Sequence, residues 1–287
     1  MLRFFEKQTT AELTMLMVAF VWGTTFVIVK NALADIGPFL FLGIRFILAF
    51  IVLAAFSHNN IKNLKSSTLK DGSLLGFFLF IGYVFQTVGL QYTTSSNAGF
   101  ITGLNVVLVP LIYAALQRKL PGWITSLTVS MAVIGLFLLS VQQNDFHLAY
   151  GDLLMLVCAF AFALYIVFVD RISFRHNAIA ITSVQILFVG ILCMVIGLLT
   201  EPWPHLFTLN VIFAIVITSV FATSLAFLLQ NALQKYSTPT RFAVVLTAEP
   251  VFAALTGYLF AGEILSHQGM VGAALILIAM LISIVKK

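Results

Sequence analysis

The chain has 287 residues, 61% of them hydrophobic and only 9% charged, with a mean hydropathy of +1.09 and a formal net charge of +5. A soluble domain carries about 25% charged residues, so this composition cannot make a water-facing surface and lipid must be the main solvent. A membrane span takes ~20 mostly apolar residues, which allows roughly ten spans and excludes a separate soluble domain.

In chain order, apolar runs fall at about 11–31, 36–56, 72–91, 97–116, 122–141, 151–169, 178–199, 208–233, 240–261 and 267–285. Short polar or charged stretches separate them. Helices are predicted for all ten, because an open sheet leaves edge amides unpaired in lipid and the runs lack the alternation of a barrel strand. The first run continues past Trp22 to Val29 and is followed by many like it, so it does not read as a cleavable signal. Cys158 and Cys193 lie inside apolar runs, which disfavours a disulfide or a metal site.

The charges predict orientation. With a cytoplasmic N-terminus, every Lys and Arg except Lys30 and Arg45 lies at a terminus or in a cytoplasmic loop, while Asp35, Asp145, Glu201 and Glu263 lie outside. Positive charge retained on the cytoplasmic side sets topology. Both termini are therefore expected in the cytoplasm, with an even number of spans. The same distribution explains the net charge without a nucleic-acid partner.

The chain repeats itself. Residues 19–29, AFVWGTTFVIV, align with 159–169, AFAFALYIVFV, at an offset of 140, which sets Trp22 on Phe162, Arg45 on Gln185 and Pro110 on Pro250. Residues 84–94, VFQTVGLQYTT, align with 228–238, LLQNALQKYST, at an offset of 144, which sets Gln86 on Gln230 and Thr94 on Thr238. Two five-helix halves are predicted, 11–141 and 151–285. An odd number of spans per half makes the second half enter from the opposite side, so the repeat is inverted. That architecture allows a central site to be exposed to either face in turn.

Several residues stand out within the spans. Pro110 and Pro250 each deprive an earlier carbonyl of its helical partner, and helix breaks at matching places in two halves point to a site between them; the alternative is a kink that serves packing. Glu249, beside Pro250, is a candidate proton-coupling carboxylate, or a neutral or ion-paired structural group, since intramembrane ionisable residues rarely face lipid. Arg45 reads as structural rather than as a substrate anchor, and Lys30 as reaching the interface. Gln86, Thr102, Asn105, Thr223, Ser224, Gln230 and Asn231 are polar groups within apolar runs. They either line a wet cavity or join helices by hydrogen bonds, and as a set they favour a cavity. Trp22, Tyr83 and Tyr165 would supply its aromatic walls, or simply pack. Gly99 and Gly103 form a GxxxG packing motif, and Gly262–Glu263 reads as a short external turn. The five histidines, His58, His147, His176, His205 and His267, read as solvated.

These stretches resemble the drug/metabolite transporter superfamily, specifically ten-helix proteins with two EamA repeats. The resemblance is carried by FVWGTTFVIVK at 20–30, Arg45 in FLGIRFILAF, NAGFITGLNVVLVPL at 97–111, AEPVFAALTGYLFAGE at 248–263 and the glycine-rich HQGMVGAALILIAMLIS. It covers nearly the whole chain. It implies an all-α membrane fold of two inverted five-helix repeats and a cavity lined mainly by helices 1, 3, 4, 6, 8 and 9. It makes Trp22, Tyr83, Gln86, Asn105, Tyr165, Thr223, Asn231 and Glu249 the cavity candidates. It also implies a small organic solute such as an amino acid, related metabolite or drug-like compound, exported across a bacterial inner membrane without a cofactor.

No HExxH, P-loop, GxSxG or His/Cys cluster occurs in the sequence. A membrane-embedded enzyme is thereby disfavoured, and a passive channel fits the buried charge and paired helix breaks less well. The solute, the coupling ion and the oligomeric state are open at this level.

Overall fold

The structure is a computed structural model that describes residues 2–56, 64–118, 120–140, 150–260 and 266–285. Glu263, Asp145, His58 and His147, read above as loop residues, lie outside the described residues, as does the Gly262–Glu263 turn. Lipid cannot satisfy a backbone amide, so each crossing segment must bond within itself. Helix accounts for every regular element among the described residues.

The first half holds α1 (Leu2–Ala32), α2 (Pro38–Phe56), α3 (Ser66–Leu90), α4 in two pieces (Ser95–Gly103 and Asn105–Gln117) and α5 (Trp123–Ser140). The second holds α6 (Tyr150–Ile172), α7 (Ala178–Thr200), α8, α9 and α10 (His267–Val285). α8 runs through Leu209–Ile217, a π-helical stretch Thr218–Leu225 and Ala226–Leu233, and α9 is divided into Pro239–Leu246 and Ala248–Phe260. Nine of the described helices are long and apolar enough to cross a membrane, and α5 is a shorter apolar tenth. The chain is thus a multi-pass membrane protein.

The packing pattern is symmetric under exchange of the halves. α5 lies on α10, α2 on α7 and α4 on α9, each a helix against its own repeat partner. α1 packs on α8 and α9 as α6 packs on α3 and α4, and α2 meets α8 as α7 meets α3. With five helices in each half, this pairing is that of an inverted repeat. At the α5–α10 contact a β-carbon on Gly135 would lie 2.7 Å from the Gly272 carbonyl oxygen, and one on Gly272 would lie 2.5 Å from that of Gly135. Glycine lets the two backbones touch, which is how helices associate when lipid removes the hydrophobic drive.

Repeat-related helices are also capped alike. Thr94 accepts from the Asn97 amide at the start of α4, and Thr238 accepts from the Arg241 amide at the start of α9. The helix breaks are displaced from the position that the prolines suggest. They fall upstream, at Leu104 (φ −62°, ψ −10°) and Thr247 (φ −65°, ψ −8°), in one shared conformation. Pro250 sits in the first turn of Ala248–Phe260, where its missing N–H has no intrahelical role, and Pro110 lies inside Asn105–Gln117. The N-caps Thr94 and Thr238 keep the offset of 144 into α4/α9 while the breaks at Leu104 and Thr247 stand one residue short of it; at 144 Asn105 falls on Glu249, and Pro110 and Pro250 are a turn out of register. The GxxxG of α4 packs on α9: a β-carbon on Gly103 would lie 3.1 Å from Pro250 Cγ.

One face of the bundle, here the N-terminal face, holds the start of α1 and the end of α10. His176, read as solvated, is instead nearly buried there, with Nδ1 3.1 Å from Thr68 Oγ1 and Nε2 2.7 Å from Asp71 Oδ2. On the far face Glu201 accepts from the Phe39 and Leu40 amides at 2.9 and 2.8 Å, capping α2 from the end of α7. A carboxylate there meets both unpaired amides and the positive end of the helix dipole. Lys30 also does more than reach the interface: its Nζ donates to the Thr93 carbonyl over 2.8 Å, tying α1 to the α3–α4 turn.

Candidate functional site

A cavity opens between the halves, with about 700 Å³ of unfilled space when the open solvent at its mouth is included. Its lining comes from α1, α3, α4, α6, α8 and α9, with Arg45 added from α2. Helical spacing puts Trp22, Thr25, Phe26 and Val29 on one stripe of α1, and Tyr83, Gln86, Thr87 and Leu90 on one stripe of α3.

The walls are aromatic. Phe227 is the hub, with ring centroids 5.5 Å from Trp22, 5.9 Å from Tyr83 and 5.8 Å from Tyr165. Phe162 closes the set, 5.3 Å from Tyr83. The Trp22 indole N–H donates to the Ala222 carbonyl over 2.8 Å, in the π-helical stretch of α8. A π turn changes which carbonyls are bonded within the helix and is often found at functional sites. Here it holds one wall of the cavity.

The same stretch holds Arg45. Thr223 Oγ1 accepts from Arg45 Nε over 2.8 Å, and the guanidinium lies 4.9 Å from the Tyr83 ring centre and 5.5 Å from that of Phe46. A cation over a ring face gains from the ring quadrupole, more so away from water. Arg45 is only 4% exposed, yet it lines the cavity.

Glu249 faces it from another element. It is the second residue after the break in α9, is half-buried, and lines the cavity. Among the described residues its carboxyl has no hydrogen-bond or ion-pair partner, and the described ion pairs are His176–Asp71 and Arg241–Glu12. Gly23 of α1 sets its place: a β-carbon there would lie 2.5 Å from the Glu249 carbonyl oxygen and 2.7 Å from Phe252 Cβ. Asn105 Oδ1 and Gln230 Oε1 also line the space, buried and without a protein partner among the described residues. The site is thus rich in unpaired acceptors, with one cation on one side.

Of the residues singled out from the sequence, Trp22, Tyr83, Gln86, Asn105, Tyr165 and Glu249 come together in the lining. Thr223 and Asn231 do not. Thr223 faces Arg45 behind the wall, and the Asn231 side-chain amide donates to Thr182 Oγ1 at 3.1 Å and to the Phe227 carbonyl at 2.9 Å. Both are helix-joining groups, because the π stretch turns this part of α8 toward α2 and α7. Pro110 and Pro250 are buried outside the lining, and the residues beside the breaks, Thr102, Asn105, Leu246 and Glu249, line it instead. Arg45, read as structural, is both held by Thr223 and part of the wall. Phe162, Phe227 and Gln230 were detectable as repeat partners of Trp22, Tyr83 and Gln86. The described residues contain no group of three or more His, Cys, Asp or Glu placed to hold a metal.

Comparison with known proteins agrees with this architecture. The EamA-like transporter family matches in two stretches, residues 9–141 and 149–285. An uncharacterized transporter of Archaeoglobus fulgidus is 37% identical over 96% of this chain and 86% of its own length. A chloroplastic WAT1-related protein of Arabidopsis thaliana is 26% identical over 91% of this chain, which spans 66% of that longer protein. One crystal structure of another protein superposes with a TM-score of 0.77 at 20% identity, covering 95% of this chain and 96% of that one, and so shares the fold.

Proposed function

Since the chain belongs to the EamA-like transporter family, we propose that it is a secondary transporter that exports small amphipathic, amino-acid-like metabolites by alternating access. One observation carries this reading: a single aromatic-walled cavity holds the Arg45 guanidinium and the Glu249 carboxyl group, not paired with each other. A solute with a carboxylate and an ammonium group matches that pair. Its ammonium would supply the donors that Glu249, Asn105 Oδ1 and Gln230 Oε1 lack, and its side chain would pack on Trp22, Phe162 and Phe227. Buried acceptors left unpaired are costly, which favours such a solute over an apolar one. A multiply charged anion is a poor fit, with one arginine available to it.

The distribution of Lys and Arg supports a cytoplasmic N-terminal face, and a bacterial inner membrane is proposed from the family resemblance. Glu249 is the candidate proton carrier, being the only carboxylate among the lining residues. The test is accumulation of labelled amino acids and aromatic metabolites by everted vesicles, with and without an uncoupler, against vesicles lacking the protein. Uncoupler-sensitive accumulation of one zwitterionic class is the expected result. Flux that depends on ATP, or turnover of lipid by the purified protein, would overturn it.

A further inference from the structure

Two repeat-related contacts lie at opposite ends of the cavity and contribute nothing to its lining. On the far face Thr93 Oγ1 donates to Asp152 Oδ1 over 2.7 Å. On the N-terminal face Ser237 Oγ donates to Glu12 Oε1 over 2.6 Å. The offsets that pair Trp22 with Phe162 and Gln86 with Gln230 also pair Glu12 with Asp152 and Thr93 with Ser237. The two contacts are therefore one device occurring twice. Both carboxylates are buried, Glu12 at 0% and Asp152 at 4% exposure. Each hydroxyl directly precedes an N-cap, Thr94 or Thr238. Each contact thus clamps the start of an interrupted helix, α4 or α9, to the start of α6 or α1.

We propose that Thr93–Asp152 and Ser237–Glu12 are the latches of the two gates, and that the cavity opens to a face only when the latch at that face parts. This rests on the alternating-access reading above. Both latches are closed in this structure. Glu12 also accepts from Arg241 Nε at 2.7 Å and Nη2 at 3.1 Å, and Arg241 Nη2 donates on to the Ile284 carbonyl of α10. In the first half the position matching Arg241 is Asn97, which carries no charge.

The test reads accessibility and needs no solute. A single cysteine replaces Thr25 in the cavity, with the buried free thiols Cys158 and Cys193 changed to alanine. A membrane-impermeant thiol reagent is then applied to the full chain from one face or the other. Glu12→Gln should raise labelling from the N-terminal face roughly tenfold, and Asp152→Asn should raise it from the far face only, each by removing a bond to a charged group. The milder Ser237→Ala and Thr93→Val should shift it in the same two directions, and they keep the test open should a carboxylate variant misfold. Labelling that stays unchanged in the hydroxyl variants, or both pairs acting on the same face, overturns the latches while leaving transport untouched. Face-specific shifts in a protein that carries no solute would retain the latches and overturn the transport reading.

Discussion

The two halves of the cavity share a shape and divide the chemistry. Trp22 is matched by Phe162, Thr25 by Tyr165 and Phe26 by Ile166 at one offset, and Tyr83 by Phe227, Gln86 by Gln230 and Asn105 by Glu249 at the other. All of these line the space. The matched bulk keeps one packing arrangement available to either half, as exchange between two facing states demands. On the proposed transport reading, the unmatched polar ends would orient the solute. The first half supplies the cation, Arg45, whose counterpart Gln185 donates to the Tyr165 hydroxyl behind the wall. The second half supplies the carboxyl group, Glu249, where the first has an amide. A fully symmetric cavity would bind a solute in two orientations equally; this one distinguishes them.

The strongest way to break that comparison is to erase the carboxyl group. Glu249→Gln makes both halves amides at that position, and gradient-driven accumulation in everted vesicles should fall to background while solute exchange persists in part. Accumulation that survives would make Glu249 structural. Erasing the cation comes next. Arg45→Met should raise the KM for a zwitterionic solute by roughly tenfold or more, the loss of one charge-assisted contact of about 1.5–3 kcal/mol. Arg45→Lys should recover little of this, because an ammonium group cannot reproduce the planar contact with Tyr83 and Thr223. Gly23→Ala tests the scaffold rather than the chemistry. Its methyl group would collide with the α9 backbone beside Glu249, at about 1–3 kcal/mol for overpacking, read as a lower unfolding temperature in detergent. The smallest effect is expected from Tyr83→Phe, which makes the first half copy Phe227. The ring under Arg45 remains, so transport should change by less than about threefold, on the order of half a kcal/mol.

Some of this was legible before any coordinates. Ten apolar runs, their charge bias and two offsets were sufficient for a membrane fold of two inverted halves. The alignment of Thr94 with Thr238 was legible as a repeat match, and the structure shows both to be helix N-caps. Glu12 was not legible. It lies near the beginning of the first helix, where a carboxylate ordinarily meets water, and only the approach of α9 and α10 buries it against Arg241 and Ser237. Thr223 and Asn231 were legible as polar groups in a span, but their direction was not, because a π turn rotates the following residues relative to a regular helix.

What the sequence by itself determined was the solvent, the number of crossings and the repeat, because these follow from local hydropathy and from residue order. What only the tertiary structure decided was which polar groups meet. The prolines drew attention to the broken helices, but the breaks lie at Leu104 and Thr247 and bring Asn105 and Glu249, not the prolines, into the cavity. A buried polar group in lipid is satisfied by whatever neighbour packing brings to it. That neighbour stands far away in the chain, as Ala222 does for Trp22 and Thr223 for Arg45, so no local pattern can specify it.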